Sequence, residues 1–304
     1  MDKMKRFQEF KDKTTINVNG EITPAEDAKI SVFDRGFLYG DSIYEVTYSD
    51  HGQLIFFNEH LDRLYNSANL LNMTIFLERE EIIKEALKTL KQSKLERAYV
   101  RIIITRGETE INLDPSTSFK NNLIIIVKPQ PPYPQDNYTK GLKLMISSVL
   151  RNDRKSINPN AKSGNYLNNV MAISEAKKLG FDDAIMVNHQ DKITEGTTFN
   201  IWMVKDGIIK TPPETSGLLK GITRQKVIKI CREQNFNLEV SDFSSQMLLE
   251  ADEVFMTSST KGIMPIYQVN DKIFNNEKII TNKLSALYDE LIQEQIRNKE
   301  FSYL

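Results

Sequence analysis

The stretch PQPPYPQDNYTKG, residues 129–141, constrains the fold more than any other. Four prolines stand between Pro129 and Pro134, and proline withholds an amide hydrogen from both helix and sheet. The run reads as a linker, which divides the chain into an N-terminal domain over residues 1–130, a linker over 131–138 and a C-terminal domain over 139–304. The length of 304 residues agrees, because single hydrophobic cores stop growing near this size.

Both halves mix strand and helix periodicity. Before the linker, TINVNGEI and YEVTYSDHGQLIFF predict hairpins, the second turning at Asp50-His51-Gly52. NEHLDRLYNSANLL and REEIIKEALKTLKQS carry helical apolar spacing, and RAYVRIIITRG and NNLIIIVKP predict buried strands. After it come strand LKLMISSVL, helix YLNNVMAISEAKKLG closed by Gly180, and strands DAIMV and TFNIWMVKDG. Helix ITRQKVIKICREQ, strands FNLEV and ADEVFMTSS, and a charged helix from about Asn282 complete the chain. Two mixed α/β domains are the expectation.

Charge and composition exclude several classes. A net charge of -1 with no basic stripe makes nucleic acid an unexpected partner. Cys231 stands alone, so no disulfide forms within the chain and a reduced structural thiol is expected. His51, His60 and His189 lack zinc spacing, and no metal site is expected. No run reaches the roughly 20 apolar residues of a membrane span, and MDKMKRFQEFKDK lacks the apolar core of a signal peptide. A cytoplasmic protein is expected.

Five features carry possible chemistry. Lys162, in INPNAKSGNYLNN, lies between a proline-asparagine turn and a helix start; it is a solvated charge or a nucleophile. Glu195 in KITEGTTFNIW is a strand-end acid or a specific anion, and Ile222-Thr223 after Gly221 open a helix whose amides suit a phosphate. The hydroxyls of MTSSTKG make a turn or an anion site, and Arg63 in NEHLDRLYNSA is a surface salt bridge or a phosphate fork. Together they describe one inventory. A lysine amine can form a Schiff base with an aldehyde cofactor, a carboxylate can keep a pyridine nitrogen protonated, and arginine, amides and hydroxyls can hold a phosphate.

From about Asn17 to Pro265 the order of motifs resembles the fold-type IV, or class IV, aminotransferases, which use pyridoxal 5′-phosphate. The motifs are SVFDRGFLYGDSIYEV, NEHLDRLYNSA, YVRIIITRG, NAKSGNYLNN, GFDDAIMV, ITEGTTFNIW, GLLKGITR and ADEVFMTSS. The resemblance implies a two-domain α/β enzyme, with a smaller N-terminal domain and a larger C-terminal pseudo-barrel. It also implies a homodimer whose loops close the partner's site. It puts the catalytic, cofactor-bonding lysine at Lys162 and the pyridine-nitrogen carboxylate at Glu195. Arg63, Ile222, Thr223, Ser259 and Thr260 fall on the phosphate contacts, and Tyr166 on the tyrosine beside the ring oxygen.

The implied reaction is ping-pong transamination, passing the amino group of an aliphatic, branched-chain L-amino acid to 2-oxoglutarate, with D-amino-acid transfer as the alternative. Tyr99 and Arg101 match the carboxylate-receiving strand of branched-chain enzymes, the group nearest in motifs. Tyr44 with Val46 resembles the D-amino-acid enzymes instead, and aminodeoxychorismate lyase and (R)-amine transaminase are further members. Tyr44, Tyr99 and Arg101 are the substrate-binding candidates. Phe33, Phe37, Ile43 and Tyr133 read as core or as a wall for an aliphatic side chain, with core preferred for most, and Trp202 reads as core.

Overall fold

The computed structural model describes residues 2–274 and 277–304. The chain forms two compact units, and they interleave in sequence. The first takes the chain up to Pro132 together with Ala161–Asn165 and Gln293–Leu304; the second takes Tyr133–Asn160 and Tyr166–Ile292. The expected division was continuous, whereas the segment holding Lys162 packs with the N-terminal unit.

In the first unit the elements are α1 (Lys3–Asp12), β1 (Thr15–Val18), β2 (Glu21–Pro24), α2 (Arg35–Tyr39), β3 (Ser42–Asp50) and β4 (Gln53–Leu54). They continue with α3 (Phe57–Leu70), α4 (Arg79–Ser93), β5 (Ala98–Thr105) and β6 (Asn122–Pro129). The strands join in the order β2-β1-β6-β5-β3-β4, antiparallel at each pairing. One face of the sheet is covered by α3 and α4. Helical spacing explains this: Phe57, Leu61, Leu64 and Ala68 line one side of α3, and Ile82, Ala86 and Leu90 one side of α4. They pack with Ile43, Val100, Ile102, Ile104, Ile125 and Val127 from the strands. Burying each of the valine, leucine, isoleucine and phenylalanine side chains stabilises the unit by about 1.5–3 kcal/mol.

The second unit contains α5 (Gln135–Thr139), β7 (Leu142–Ile146), α6 (Leu167–Lys178), β8 (Asp183–Val187), β9 (Ile193–Gly196), β10 (Asn200–Lys205) and β11 (Ile208–Thr211). After these come α7 (Ile222–Glu233), β12 (Leu238–Val240), α8 (Ser245–Leu249), β13 (Glu253–Ser258), β14 (Gly262–Val269), β15 (Lys272–Ile273) and α9 (Ile279–Asn298), which belongs to the first unit from Gln293 on. The sheet runs β12-β11-β10-β13-β14-β7-β8-β9, with β15 beside β14, and curls into a half-barrel. Its core gathers Leu144, Ile185, Ile201, Met256, Met264 and Ile266. Every residue of β8 is buried, as expected of a strand flanked on both faces.

Some local expectations hold, and those for the proline-rich run and for Phe33 and Phe37 are revised. The charged N-terminus forms α1, capped by Asp2, whose carboxylate accepts from the Met4 amide at 3.2 Å. Part of the proline-rich run is the short helix α5, because Pro134 stands at its N-cap, where no amide donor is required. Ile43 and Trp202 are core, but Phe33 and Phe37 are exposed. Cys231 is fully buried, and burial pushes its thiol up to about 11, so it stays protonated. Among the described residues no helix is long and apolar enough to cross a membrane.

Candidate active site

Lys162 sits on the open edge of the first unit's sheet. β4 covers only the far end of β3, at Ser49 and Asp50, which leaves the near end unpaired. Residues 162–164 take that place. The Tyr44 amide donates to the Lys162 carbonyl at 2.9 Å, the Gly164 amide donates to the Ser42 carbonyl at 2.8 Å, and Ile43 and Ser163 form an antiparallel bridge. Gly164 lies so close to Ser42 Oγ that a Cβ there would collide with it. The glycine of AKSGN thus lets this segment approach β3 closely while Ser42 keeps its rotamer.

Strand alternation sorts the remaining candidates of this unit onto two faces. β3 and β5 pair with Val46 opposite Arg101 and Tyr48 opposite Tyr99, so Tyr44, Val46, Tyr48, Tyr99 and Arg101 share the face away from α3 and α4. There Lys162 Nζ donates to the Tyr44 hydroxyl at 3.3 Å and lies 4.3 Å from the centre of its ring. The Arg101 guanidinium stacks on the same ring at 3.9 Å. One phenol therefore ties an amine to a guanidinium, through cation–π contact on a mostly buried ring. Lys128 lies over the Tyr99 ring at 4.5 Å.

Arg63 belongs to a cluster on the helix-covered face, near enough to Lys162 for the charge of its amine to act on His60. Its Nε donates to Glu45 Oε1 and its Nη2 to Glu45 Oε2, both at 2.7 Å, and His60 Nδ1 is 2.7 Å from Glu45 Oε2. Glu45 is 1% exposed. Burial alone would raise its pKa, but the charge and hydrogen bonds of Arg63, with those of His60, outweigh that and hold it at about 2. Burial likewise lowers the His60 pKa despite the pull of Glu45. Neutral His60 and ionised Glu45 fix the rotamer of Arg63. Sequence reading missed this pair, although a signal existed: an acid in a strand, with histidine and arginine three apart on the facing side of the next helix.

In the second unit Glu195 lies next to the last residue of β9 and is buried. Arg151 Nε donates to Oε1 and the Leu219 amide to Oε2, both at 3.0 Å. Both oxygens are oriented, and Arg151, held in turn by Asn168 Oδ1 at 3.3 Å, is a second residue that sequence reading missed. α7 opens at Ile222, and no side chain caps its first turn, which leaves amides of the kind that bind an anion. Gly221 lies against Asn200 Oδ1 with no room for a Cβ. Thr223 is buried with its hydroxyl 3.2 Å from the Tyr288 hydroxyl.

Ser259 and Thr260 follow β13 and are half-buried, as is Tyr166 at the N-cap of α6. Beside them Ser258 Oγ is shut off from solvent without a hydrogen-bond partner. A buried hydroxyl left unpaired costs about 1–3 kcal/mol. Among natural structures such groups are rare.

Comparison with known proteins gives the arrangement a family. Residues 42–269 match the family model described as Amino-transferase class IV. A protein of Methanocaldococcus jannaschii is 37% identical over 278 residues, covering 91% of this chain and 96% of that one, and its naming as a branched-chain-amino-acid aminotransferase is provisional. The branched-chain-amino-acid aminotransferase of Escherichia coli K12 is 32% identical, covering 83% and 84%. The D-alanine aminotransferase of Staphylococcus aureus N315 is 30% identical, covering 91% and 98%. Among solved structures, the Escherichia coli branched-chain enzyme superimposes with a TM-score of 0.87 at 28% identity, over 92% of this chain and 95% of that one. The T.th. branched-chain amino acid aminotransferase with pyridoxamine 5′-phosphate gives 0.87 at 27% identity, over 94% and 96%. The chain belongs to the class IV aminotransferases.

Proposed function

We propose that this protein transfers the amino group of a branched-chain L-amino acid to 2-oxoglutarate in two half-reactions, as a cytoplasmic homodimer. Class IV aminotransferases use pyridoxal 5′-phosphate, and the residues present suit it. The uncapped amides at Ile222 and the close approach of Gly221 to Asn200 fit a phosphate, and the oriented carboxylate of Glu195 fits a pyridinium. When bound, the cofactor supplies an aldehyde to which an amine can bond and a ring that takes up the electrons left at the substrate Cα.

The assignments are those implied by the resemblance to the class IV aminotransferases, and the chemistry of each side chain agrees with them. Lys162 anchors the cofactor, and once displaced by substrate its amine carries the proton from Cα. Glu195 holds the ring nitrogen protonated. Arg63, Ile222, Thr223, Ser259 and Thr260 hold the phosphate, and Tyr166 steadies the ring oxygen. Tyr99 and Arg101 receive the substrate carboxylate, with Tyr44 between Arg101 and the amine.

The observation that carries this reading is the stacking of Arg101 on Tyr44, whose hydroxyl is 3.3 Å from Lys162 Nζ. It keeps a carboxylate-binding fork within one ring's breadth of the amine. A second reading, D-amino-acid transfer, is supported by Tyr44 and Val46 and by the D-alanine aminotransferase relative. The test incubates the purified protein with pyridoxal phosphate, 2-oxoglutarate and either L-leucine or D-alanine, and follows glutamate. Glutamate from L-leucine is the expected result. Turnover with D-alanine alone would assign the protein to the second reading.

A further inference from the structure

We infer that Ser67 is a positioning residue that holds the backbone of Lys162 in place for chemistry at its amine; this rests on the reading of Lys162 as the cofactor-bonding lysine. Ser67 is fully buried on α3. Its hydroxyl donates to the Arg63 carbonyl at 2.8 Å and accepts from the Lys162 amide at 3.0 Å. The first bond is the ordinary back-bond of a helical serine. The second is not local, since it spans 95 residues of sequence. Donating to Arg63 sets the hydroxyl rotor, so that a lone pair is left for Lys162 N–H.

Lys162 is thereby tied at three atoms. Its amide nitrogen is held by α3 through Ser67, its carbonyl by β3 through the Tyr44 amide at 2.9 Å, and its Nζ by the Tyr44 hydroxyl at 3.3 Å. The segment 161–165 has no helix or named strand of its own to keep its register. An amine that must first bond a cofactor and later carry a proton at the same centre needs a fixed backbone, because a misplacement of about 1 Å can cost about 100-fold in rate. Arg63 and Ser67 lie one turn apart on α3, so a single helical turn places both the arginine and the lysine.

The test uses the full chain with Ser67→Ala, Ser67→Thr and Ser67→Cys, the last keeping volume while replacing the hydroxyl with a weak acceptor. Amide hydrogen exchange at Lys162 is read without added cofactor. In Ser67→Ala it should quicken about tenfold, the equivalent of one lost hydrogen bond, while kcat falls about tenfold and KM stays within twofold of the wild type. Ser67→Thr should restore both readouts, and Ser67→Cys should follow Ser67→Ala, which keeps the test intact if the alanine variant fails to fold. Wild-type exchange and kcat in both Ser67→Ala and Ser67→Cys would overturn the inference. A wild-type chain in which pyridoxal phosphate and borohydride leave Lys162 unlabelled would overturn the underlying reading instead; labelling in the wild type with unchanged variants overturns only the role of Ser67.

Discussion

Replacing Glu45 with glutamine keeps the volume of a buried side chain and removes its charge. The carboxylate titrates at about 2 rather than 4.5 because Arg63 and His60 together overcome the cost of its burial. At about 1.4 kcal/mol per pH unit, that interval makes the ionised form worth about 3 kcal/mol to the folded unit. The sign follows from the lowered pKa: the contribution is complete above pH 4.5 and is lost as pH falls towards 2. Glutamine mimics the protonated acid, leaving the Arg63 charge without its counterion in both cases. The wild type should therefore exceed Glu45→Gln by about 3 kcal/mol at pH 7, and the gap should close progressively below about pH 4.5. The assay is hydrogen exchange of the α3 amides at pH 7, 5 and 3.5, with urea unfolding followed by far-ultraviolet circular dichroism. A gap under about 1 kcal/mol at pH 7, or one of equal size at pH 7 and pH 3.5, would refute the reasoning.

His60, buried beside Glu45, has its pKa lowered by burial, so the unfolded chain takes up the proton first and stability should fall as pH drops below about 6.5. His60→Gln should flatten that slope between pH 7 and 5.5, and an unchanged slope would place its origin elsewhere. Arg101→Met keeps an apolar stem on Tyr44 while removing the fork; KM for the amino acid should rise about 10- to 100-fold, the value of a charge-assisted pair, and an unchanged KM would remove Arg101 from substrate binding.

Much of the first unit could be read from sequence because its signals are local. The spacing of Leu61, Leu64 and Ala68 set the buried side of α3, and the runs AYVRIIIT and NLIIIVKP could hardly be anything but strands. β14 was not anticipated, since Pro265 interrupts GIMPIYQV and a proline inside a run argues against a strand. Yet Pro265 is paired with Phe255 in the sheet. The candidate lysine and carboxylate were legible through the order of motifs. Their supports were not. Ser67 shows in the sequence only as a small residue on a buried helical face, and Arg151 as one cation among many, because each acts through a partner far away along the chain. The same holds for residues 161–165, whose place at the edge of β3 depends on β4 being too short to cover it.

The most direct test of the account is to reduce the protein with borohydride in the presence of pyridoxal phosphate and map the modified peptide by mass spectrometry. The account predicts a single phosphopyridoxyl group on Lys162, absent when the reduction follows exposure to L-leucine, because the amino donor displaces the lysine. Modification at another lysine, or labelling of Lys162 that L-leucine and D-alanine both leave undiminished, would contradict it.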